Sequence, residues 1–80
     1  ASKYQVLCQA VSHKSFTEAA KVLHYSQSAV SQAVKAVEQE VGLTLVLRKK
    51  DDIELTSDGK KVYPYIQNIC DAEMRLRKDL

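Results

Sequence analysis

The sequence predicts a small, mainly α-helical domain with one two-stranded β hairpin and a long final helix. Apolar residues recur at helical spacing in four segments, and one stretch between the third and fourth segments alternates with a period of two. Ser, Thr and Gly stand at the breaks, where helix caps are expected. The chain has 80 residues, a length that suits one domain with a modest core.

The first two predicted helices are short and separated by a tight break. The apolar stripe of the first consists of Tyr4, Leu7, Cys8 and Val11. That helix is expected to end at residues 13–15. Ser15 precedes Glu18 by three residues, the spacing of a capping box that starts the second helix. The apolar positions of the second helix are Phe16, Ala19, Ala20 and Leu23.

The third helix has the clearest periodicity in the chain. It is predicted to begin after the N-cap Ser26 and to end at Gly42, because glycine readily adopts the left-handed conformation that stops a helix. Its apolar stripe consists of Val30, Ala33, Val34, Val37 and Val41. Only a short break separates the second and third helices, so a helix-turn-helix is predicted at about residues 16–35.

After the third helix the apolar period changes to two. Leu43, Leu45 and Leu47 alternate with other residues, as do Ile53 and Leu55. The charged run at residues 49–52 separates the two stretches and is predicted to be the tip of a hairpin. A hairpin at about 44–56, directly after a helix-turn-helix, predicts a winged helix-turn-helix domain over residues 1–56.

Residues 57–80 are predicted to form a long linker helix, capped by Thr56 or Ser57. Its apolar residues follow heptad spacing, with Glu73 as the one interruption. The residues predicted to mediate dimerisation are Val62, Ile66, Ile69, Leu76 and Leu80. Pro64 lies inside this segment and predicts a kink or a delayed helix start. The heptad spacing therefore predicts a homodimer through the last helix.

The face of the third helix opposite its apolar stripe is polar and contains no acidic residue. It consists of Ser28, Ser31, Gln32, Lys35 and Gln39. Amide and hydroxyl groups can hydrogen-bond to base edges in the major groove. A helix that only faces solvent would more often carry Glu–Lys pairs. This face therefore favours DNA recognition, and a solvated polar surface is the alternative.

Positive charge is concentrated in the first part of the chain. Residues 1–50 carry seven Lys or Arg against three Glu, whereas residues 51–80 carry five against seven Asp or Glu. Helix N-termini add free N–H groups that suit phosphate. The residues predicted to contact the DNA backbone are Ser15, Thr17, Ser26, Lys35, Arg48, Lys49 and Lys50. Double-stranded DNA is the expected partner, although charge on the hairpin could instead serve solubility.

Other functional classes fit the sequence less well. Cys8 and Cys70 lack CxxC spacing and are expected to be reduced core or interface residues of a cytosolic protein. His13 and His24 have no catalytic motif around them, and with the cysteines they match no metal-ligand spacing. No apolar run approaches the roughly 18 residues of a membrane span. A protein-interaction domain that uses the last helix without DNA remains the main alternative.

Four segments, in order along the chain, resemble the signature of the LysR family. They are SFTEAA at residues 15–20, SQSAVS at 26–31, VEQEVG at 37–42 and LTSDG at 55–59. Leu23, Leu45 and Arg48 also match the family pattern. The resemblance covers nearly the whole chain.

This resemblance implies a sequence-specific bacterial transcription regulator that works in the cytoplasm. The residues that it implies for base reading are Gln27, Ser28, Ser31 and Gln32, with the wing at 48–52 contacting flanking DNA. It also implies a homodimer on an interrupted inverted repeat. A further C-terminal domain, absent from these residues, is expected to bind a small effector. No cofactor or metal is expected for residues 1–80 themselves.

Overall fold

The computed structural model describes all 80 residues and contains four helices and one two-stranded antiparallel sheet. The elements are α1 (Lys3–His13), α2 (Phe16–Leu23), α3 (Gln27–Val41), β1 (Val46–Arg48), β2 (Ile53–Leu55) and α4 (Ser57–Asp79). This order confirms the predicted winged helix-turn-helix followed by a long helix. None of the helices combines the length and apolar character that crossing a membrane requires.

Side-chain caps begin the helices at the predicted positions. Ser26 Oγ accepts from the N–H of Ala29 at 3.0 Å, and Thr56 Oγ1 accepts from the N–H of Gly59 at 2.8 Å. The cap at Ser15 is only half of the predicted capping box. The N–H of Ser15 donates to the carbonyl of Ala10, so the side chain of Glu18 pairs with Lys21 instead.

A complete capping box occurs at α1, where the sequence analysis did not identify one. Ser2 Oγ accepts from the N–H of Gln5, and the Gln5 side chain accepts from the N–H of Ser2, both at 3.2 Å. The S-x-x-Q spacing was a usable signal for this cap. Satisfying two of the free N–H groups fixes where α1 begins.

Left-handed residues end the first three helices. Gly42 has φ 74°, as predicted, but Lys14 and His24 also adopt φ values of 54° and 59°. A non-glycine residue in this conformation costs roughly 1–2 kcal/mol. Hydrogen bonds offset that cost, since the N–H of Lys14 donates to the carbonyl of Val11 and that of His24 to Lys21. These two caps turn the chain sharply and bring α1, α2 and α3 together.

One hydrophobic core joins every element of the domain. Its buried members are Val6, Leu7, Ala10, Phe16, Ala19, Ala20, Val30, Val34, Val37, Leu45, Val46, Ile53, Ile66 and Cys70. Ala10 and Ala19 are fully buried, and their short side chains allow helices to approach closely. The predicted apolar stripe of α3 faces this core, except that Val41 at its end is 39% exposed.

The hairpin pairs Val46 with Leu55, Leu47 with Glu54 and Arg48 with Ile53. The predicted alternation of Leu43, Leu45 and Leu47 does not correspond to an alternation of burial. Leu45 and Val46 are buried in succession, whereas Leu43 and Leu47 are exposed. The reason is that Leu45 lies ahead of the strand, where the alternation of a pleated strand does not yet apply.

A kink or a delayed start was predicted at Pro64, and the delayed start does not occur, because helix α4 begins at Ser57 and continues through Pro64. Its first half packs onto the domain, with Val62 against the core and Ile66 within it. The prediction that Ile66 belongs to a dimer surface is therefore corrected, because the chain's own core already buries it. Ile69 is 39% exposed, Leu76 63% and Leu80 96%, so only this later part of the heptad pattern is available to a partner.

Gly59 lies where the first turn of α4 passes over the backbone of Leu45. A Cβ atom on Gly59 would fall 2.1 Å from the Leu45 carbonyl oxygen, which also accepts from the N–H of Thr56. We expect Gly59→Ala to lower the free energy of unfolding by about 3 kcal/mol, measured by urea denaturation. Gly42→Ala is the control: it meets no atom within 4 Å, and its left-handed backbone should cost about 1 kcal/mol. Equal losses would contradict the close approach at Gly59.

Candidate nucleic-acid interface

The polar face of α3 lies on the surface of the domain. Ser31 is half-buried, and the other predicted members of this face are exposed: Ser28, Gln32, Lys35 and Gln39. The orientation of the helix is fixed because Val30, Val34 and Val37 are anchored in the core on the opposite side. The structure therefore presents hydroxyl, amide and ammonium groups together over more than three turns.

Glu38 lies on the flank of this face and binds the wing. Its Oε2 accepts from the N–H of Leu45 at 2.7 Å and from the N–H of Val46 at 3.2 Å. Leu45 directly precedes β1 and Val46 is its first residue, so the carboxylate joins α3 directly to the hairpin. This contact was not predicted, because nothing in the sequence near Glu38 indicates that its side chain reaches the hairpin.

Glu40, the other acid of α3, pairs with the start of α1. Lys3 Nζ lies 2.9 Å from Glu40 Oε2, and the Tyr4 hydroxyl donates to the same carboxylate. Hydrogen bonds from Tyr4 and Lys3 hold the pKa of Glu40 below its usual range, and the same carboxylate raises the pKa values of Lys3 and Tyr4. Both acids of α3 are thus paired within the protein, although Glu38 still lines the surface beside Ser31 and Lys35.

A groove of about 580 Å³ opens between the wing and the N-termini of α2 and α3. Six of the predicted DNA-contact residues line it: Ser15, Thr17, Gln27, Arg48, Lys49 and Lys50. Ser31 and Lys35 line an adjoining depression that also includes Arg48. The structure therefore brings predicted base-reading and backbone-contact residues onto one continuous surface. Ser28 and Gln32 extend this surface along α3, and Ser26 is the N-cap at the start of that helix.

Two contacts position side chains within the groove. Gln27 Nε2 donates to Thr17 Oγ1 at 2.9 Å, which links the first turn of α3 to the first turn of α2. The guanidinium carbon of Arg48 lies 4.4 Å from the centre of the Phe16 ring, within the range of a cation–π contact. Sequence reasoning named Gln27, Thr17 and Arg48 but did not predict these pairings.

The two lysines at the tip of the wing differ in their surroundings. Lys49 Nζ lies 3.1 Å from Glu54 Oε1 across the hairpin, whereas Lys50 makes no ion pair. Asp51 and Asp52 line the same groove and reduce its positive charge. Lys50 is therefore the wing ammonium that is free to pair with an external anion.

Residues 2–60 match the family described as bacterial regulatory helix-turn-helix proteins of the lysR family. The matched range contains α1, α2, α3, the wing and the start of α4. The chain belongs to the LysR family. It contains the helix-turn-helix domain of that family, which confirms the family resemblance and the predicted fold.

Curated HTH-type transcriptional regulators are similar over most of this chain. The HTH-type transcriptional regulator DsdC of Escherichia coli (strain K12) is 39% identical over 71 residues, covering 89% of the chain and 23% of DsdC. An uncharacterized HTH-type transcriptional regulator of Staphylococcus xylosus is 36% identical over 74 residues, covering 92% and 27%. The chain thus spans about a quarter of the length of these relatives.

Solved structures of LysR-type proteins have the same fold. The crystal structure of the CbnR DBD–DNA complex matches with a TM-score of 0.85 and 25% identity, covering 96% of this chain and 88% of that one. That match extends beyond residue 60 and therefore includes the long helix α4 as well as the winged domain.

Proposed function

We propose that this LysR-type domain binds a specific DNA sequence by placing α3 in the major groove. The observation that carries the proposal is the polar face of α3, which contains no acidic residue, while the two acids of that helix pair with the wing and with α1. Because no acidic residue belongs to this face of α3, the face itself does not repel phosphate, and its amides and hydroxyls match the donors and acceptors of base edges.

Each part of the surface takes a distinct role in this proposal. The residues near the start of α3 read bases: Gln27, Ser28, Ser31 and Gln32. Backbone phosphates lie against the N-termini of α2 and α3, at Ser15, Thr17 and Ser26, with Lys35 alongside. Arg48, Lys49 and Lys50 extend the contact to DNA beside the central groove. The CbnR structure, which is a complex with DNA, supports this arrangement by its overall similarity.

Dimerisation through the exposed part of α4 completes the proposal. Ile69, Leu76 and Leu80 leave apolar surface in solvent, and burial of such side chains is worth about 1.5–3 kcal/mol each when complete. Two-fold pairing of α4 holds two α3 helices at one separation, so the matching DNA site is an inverted repeat. Val62 contributes at most its partly exposed edge, since it already packs on the core.

Selection of bound sequences from a random DNA pool tests this function directly. The expected result is an enriched motif with two-fold symmetry and an unselected centre. Titration of that motif and of a scrambled duplex should then show affinities that differ by a factor of roughly 10³ or more at physiological salt. Recovery of no motif, or equal affinity for the enriched motif and the scrambled duplex, would contradict sequence-specific recognition and favour a protein-interaction role.

Replacing the two wing lysines one at a time should change the salt dependence of DNA affinity by different amounts. Lys50→Ala should flatten the slope of log affinity against log salt by about 0.9, the value for one lost phosphate contact on duplex DNA. Lys49→Ala should change the slope less, because Lys49 already pairs with Glu54 in the free protein. Affinities measured between 50 and 200 mM salt by fluorescence anisotropy provide the slopes. An unchanged slope for Lys50→Ala would place the wing away from DNA.

We further propose that the domain acts by binding alone and works at the bacterial nucleoid in the cytoplasm. Membership of a regulatory family supports this role. A small effector is expected to act through the part of the protein beyond these residues, as the LysR resemblance implies, and no cofactor is proposed for the domain itself. Turnover of a substrate by the purified chain would overturn this part of the proposal.

A further inference from the structure

Two thiols from opposite ends of the chain meet where α4 packs on α1. The Sγ atoms of Cys8 and Cys70 lie 3.2 Å apart, and both cysteines are free. They are 62 positions apart in sequence, so the contact is a product of the fold. A disulfide bond is about 2.05 Å long, and closing the gap therefore needs a movement of about 1 Å.

We propose that Cys8 and Cys70 are a disulfide-forming pair, a modification site that peroxide oxidises to a covalent bond between α1 and α4. The site lies apart from the DNA-contact groove, since neither cysteine lines it. The proposal is independent of DNA binding, because it concerns two thiols at the contact between α1 and α4.

The surroundings of the two sulfurs assign them different roles. Cys8 is half-buried, whereas Cys70 is 7% exposed. Burial, followed by the hydrogen bond and charge of Cys8, raises the pKa of Cys70 to about 12, and the nearby acids Glu73 and Asp71 add to this. Cys70 therefore stays protonated at neutral pH. Since the thiolate is the reactive form, the more accessible Cys8 is the thiol that reacts with the oxidant first.

The oxidation proceeds in two balanced steps. The Cys8 thiolate attacks one oxygen of hydrogen peroxide, the O–O bond breaks, hydroxide leaves and a sulfenic acid forms. The sulfur of Cys70 then attacks the sulfur of Cys8, the S–O bond breaks, and the Cys70 thiol proton leaves with the hydroxyl group as water. In total, two thiols lose two electrons and two protons, and one peroxide becomes two waters. A small-molecule dithiol reverses the reaction by exchange.

The bond would fix the middle of α4 to the helix that packs against α3. Helix α1 contacts both α3 and α4, so it is the bridge between the recognition helix and the long helix. Tyr63 covers the same junction: its burial, and then the charge of Cys8, raises the pKa of Tyr63 to about 12. Oxidation would therefore set the direction of the exposed end of α4 relative to α3.

Hydrogen peroxide added to the reduced 80-residue chain at low protein concentration tests the proposal. Mass spectrometry should show loss of two hydrogen atoms, and peptide mapping should find residue 8 joined to residue 70 within one chain. The unfolding temperature should rise by about 10 °C or more, because the bond closes a long loop in the unfolded state. Dithiothreitol should reverse both changes.

Single-cysteine variants provide the matched controls. Cys8→Ser changes the half-buried member of the pair and should leave the fold intact, and Cys70→Ala fills the buried position without a polar group. Neither variant should gain an intramolecular link or a higher unfolding temperature with peroxide. Three results would overturn the proposal: two free thiols after treatment, Cys8 carried to sulfinic acid without a link, or a link that joins only separate chains.

Discussion

Replacing Ile69 with aspartate should convert a DNA-bound dimer into a folded monomer that has lost its preference for a paired site. Ile69 is 39% exposed and lies outside the hydrophobic core, so the domain keeps its own packing. On α4 it shares one helical face with Leu76 and Leu80, where a carboxylate would be buried against a partner at high cost. Linking two half-site contacts raises affinity by a factor of about 10²–10⁴, and this gain should disappear.

Sedimentation velocity and titration of paired and single half-sites measure the two consequences of Ile69→Asp together. Gln67→Asp is a matched control, because residue 67 is exposed on the same helix but faces away from Ile69. The control should remain dimeric and retain the paired-site preference. A dimeric Ile69→Asp variant, or a wild-type domain that stays monomeric on DNA, would rule out dimerisation through this face.

Replacing Gln27 or Ser31 with alanine should reduce affinity for the selected site much more than affinity for random DNA. Both side chains lie towards the start of α3, the part of a recognition helix that reaches base edges. Loss of a base contact costs roughly 1–3 kcal/mol, a decrease of about 5- to 150-fold in affinity. For Gln27 the loss also removes the hydrogen bond to Thr17, which holds α2 beside α3.

Gln39→Ala serves as the control for these base-reading variants. Gln39 is exposed on the same polar face but belongs to the last turn of α3, farther from the proposed base contacts. Its replacement should change affinity by less than a factor of about two, within the usual range for a surface substitution. Equal losses on selected and random DNA for Gln27→Ala and Ser31→Ala would mean that these residues hold the backbone rather than read bases.

Local signals in the sequence were sufficient for the helices and most of their caps. Ser26, Thr56 and Gly42 act at the positions where capping chemistry predicts them, and periodicity identified the core side of α3. The hairpin was harder, because strands of three residues leave alternation too short to define which side chains are buried. Leu45 and Val46 are buried in succession, and the contacts that hold this segment come from Glu38 on α3 and from Gly59 on α4 rather than from its neighbours in sequence.

The candidate site was predictable as a set of residues but not as a set of contacts. Polarity and family resemblance selected the residues that now line one surface, including Gln27, Arg48 and Lys50. The contact of Arg48 with Phe16 joins residues 32 positions apart, and nothing near either one in sequence predicts it. The heptad spacing of α4 was ambiguous in a similar way, because residues buried by their own domain and residues buried by a partner helix occur at the same spacing. Ile66 is buried by its own domain.

The two hydrogen bonds between Glu38 and the start of the wing have a consequence for the shape of the DNA. One carboxylate on α3 holds two N–H groups of the wing, so the angle between recognition helix and wing is set within the protein. A duplex that touches both must adjust its groove width and curvature to them. Deformation energy depends on the base steps being bent or compressed. We therefore expect the protein to prefer certain base pairs that no side chain touches, because the stiffness of those DNA steps, rather than hydrogen bonding, determines the cost of fitting the duplex to the protein.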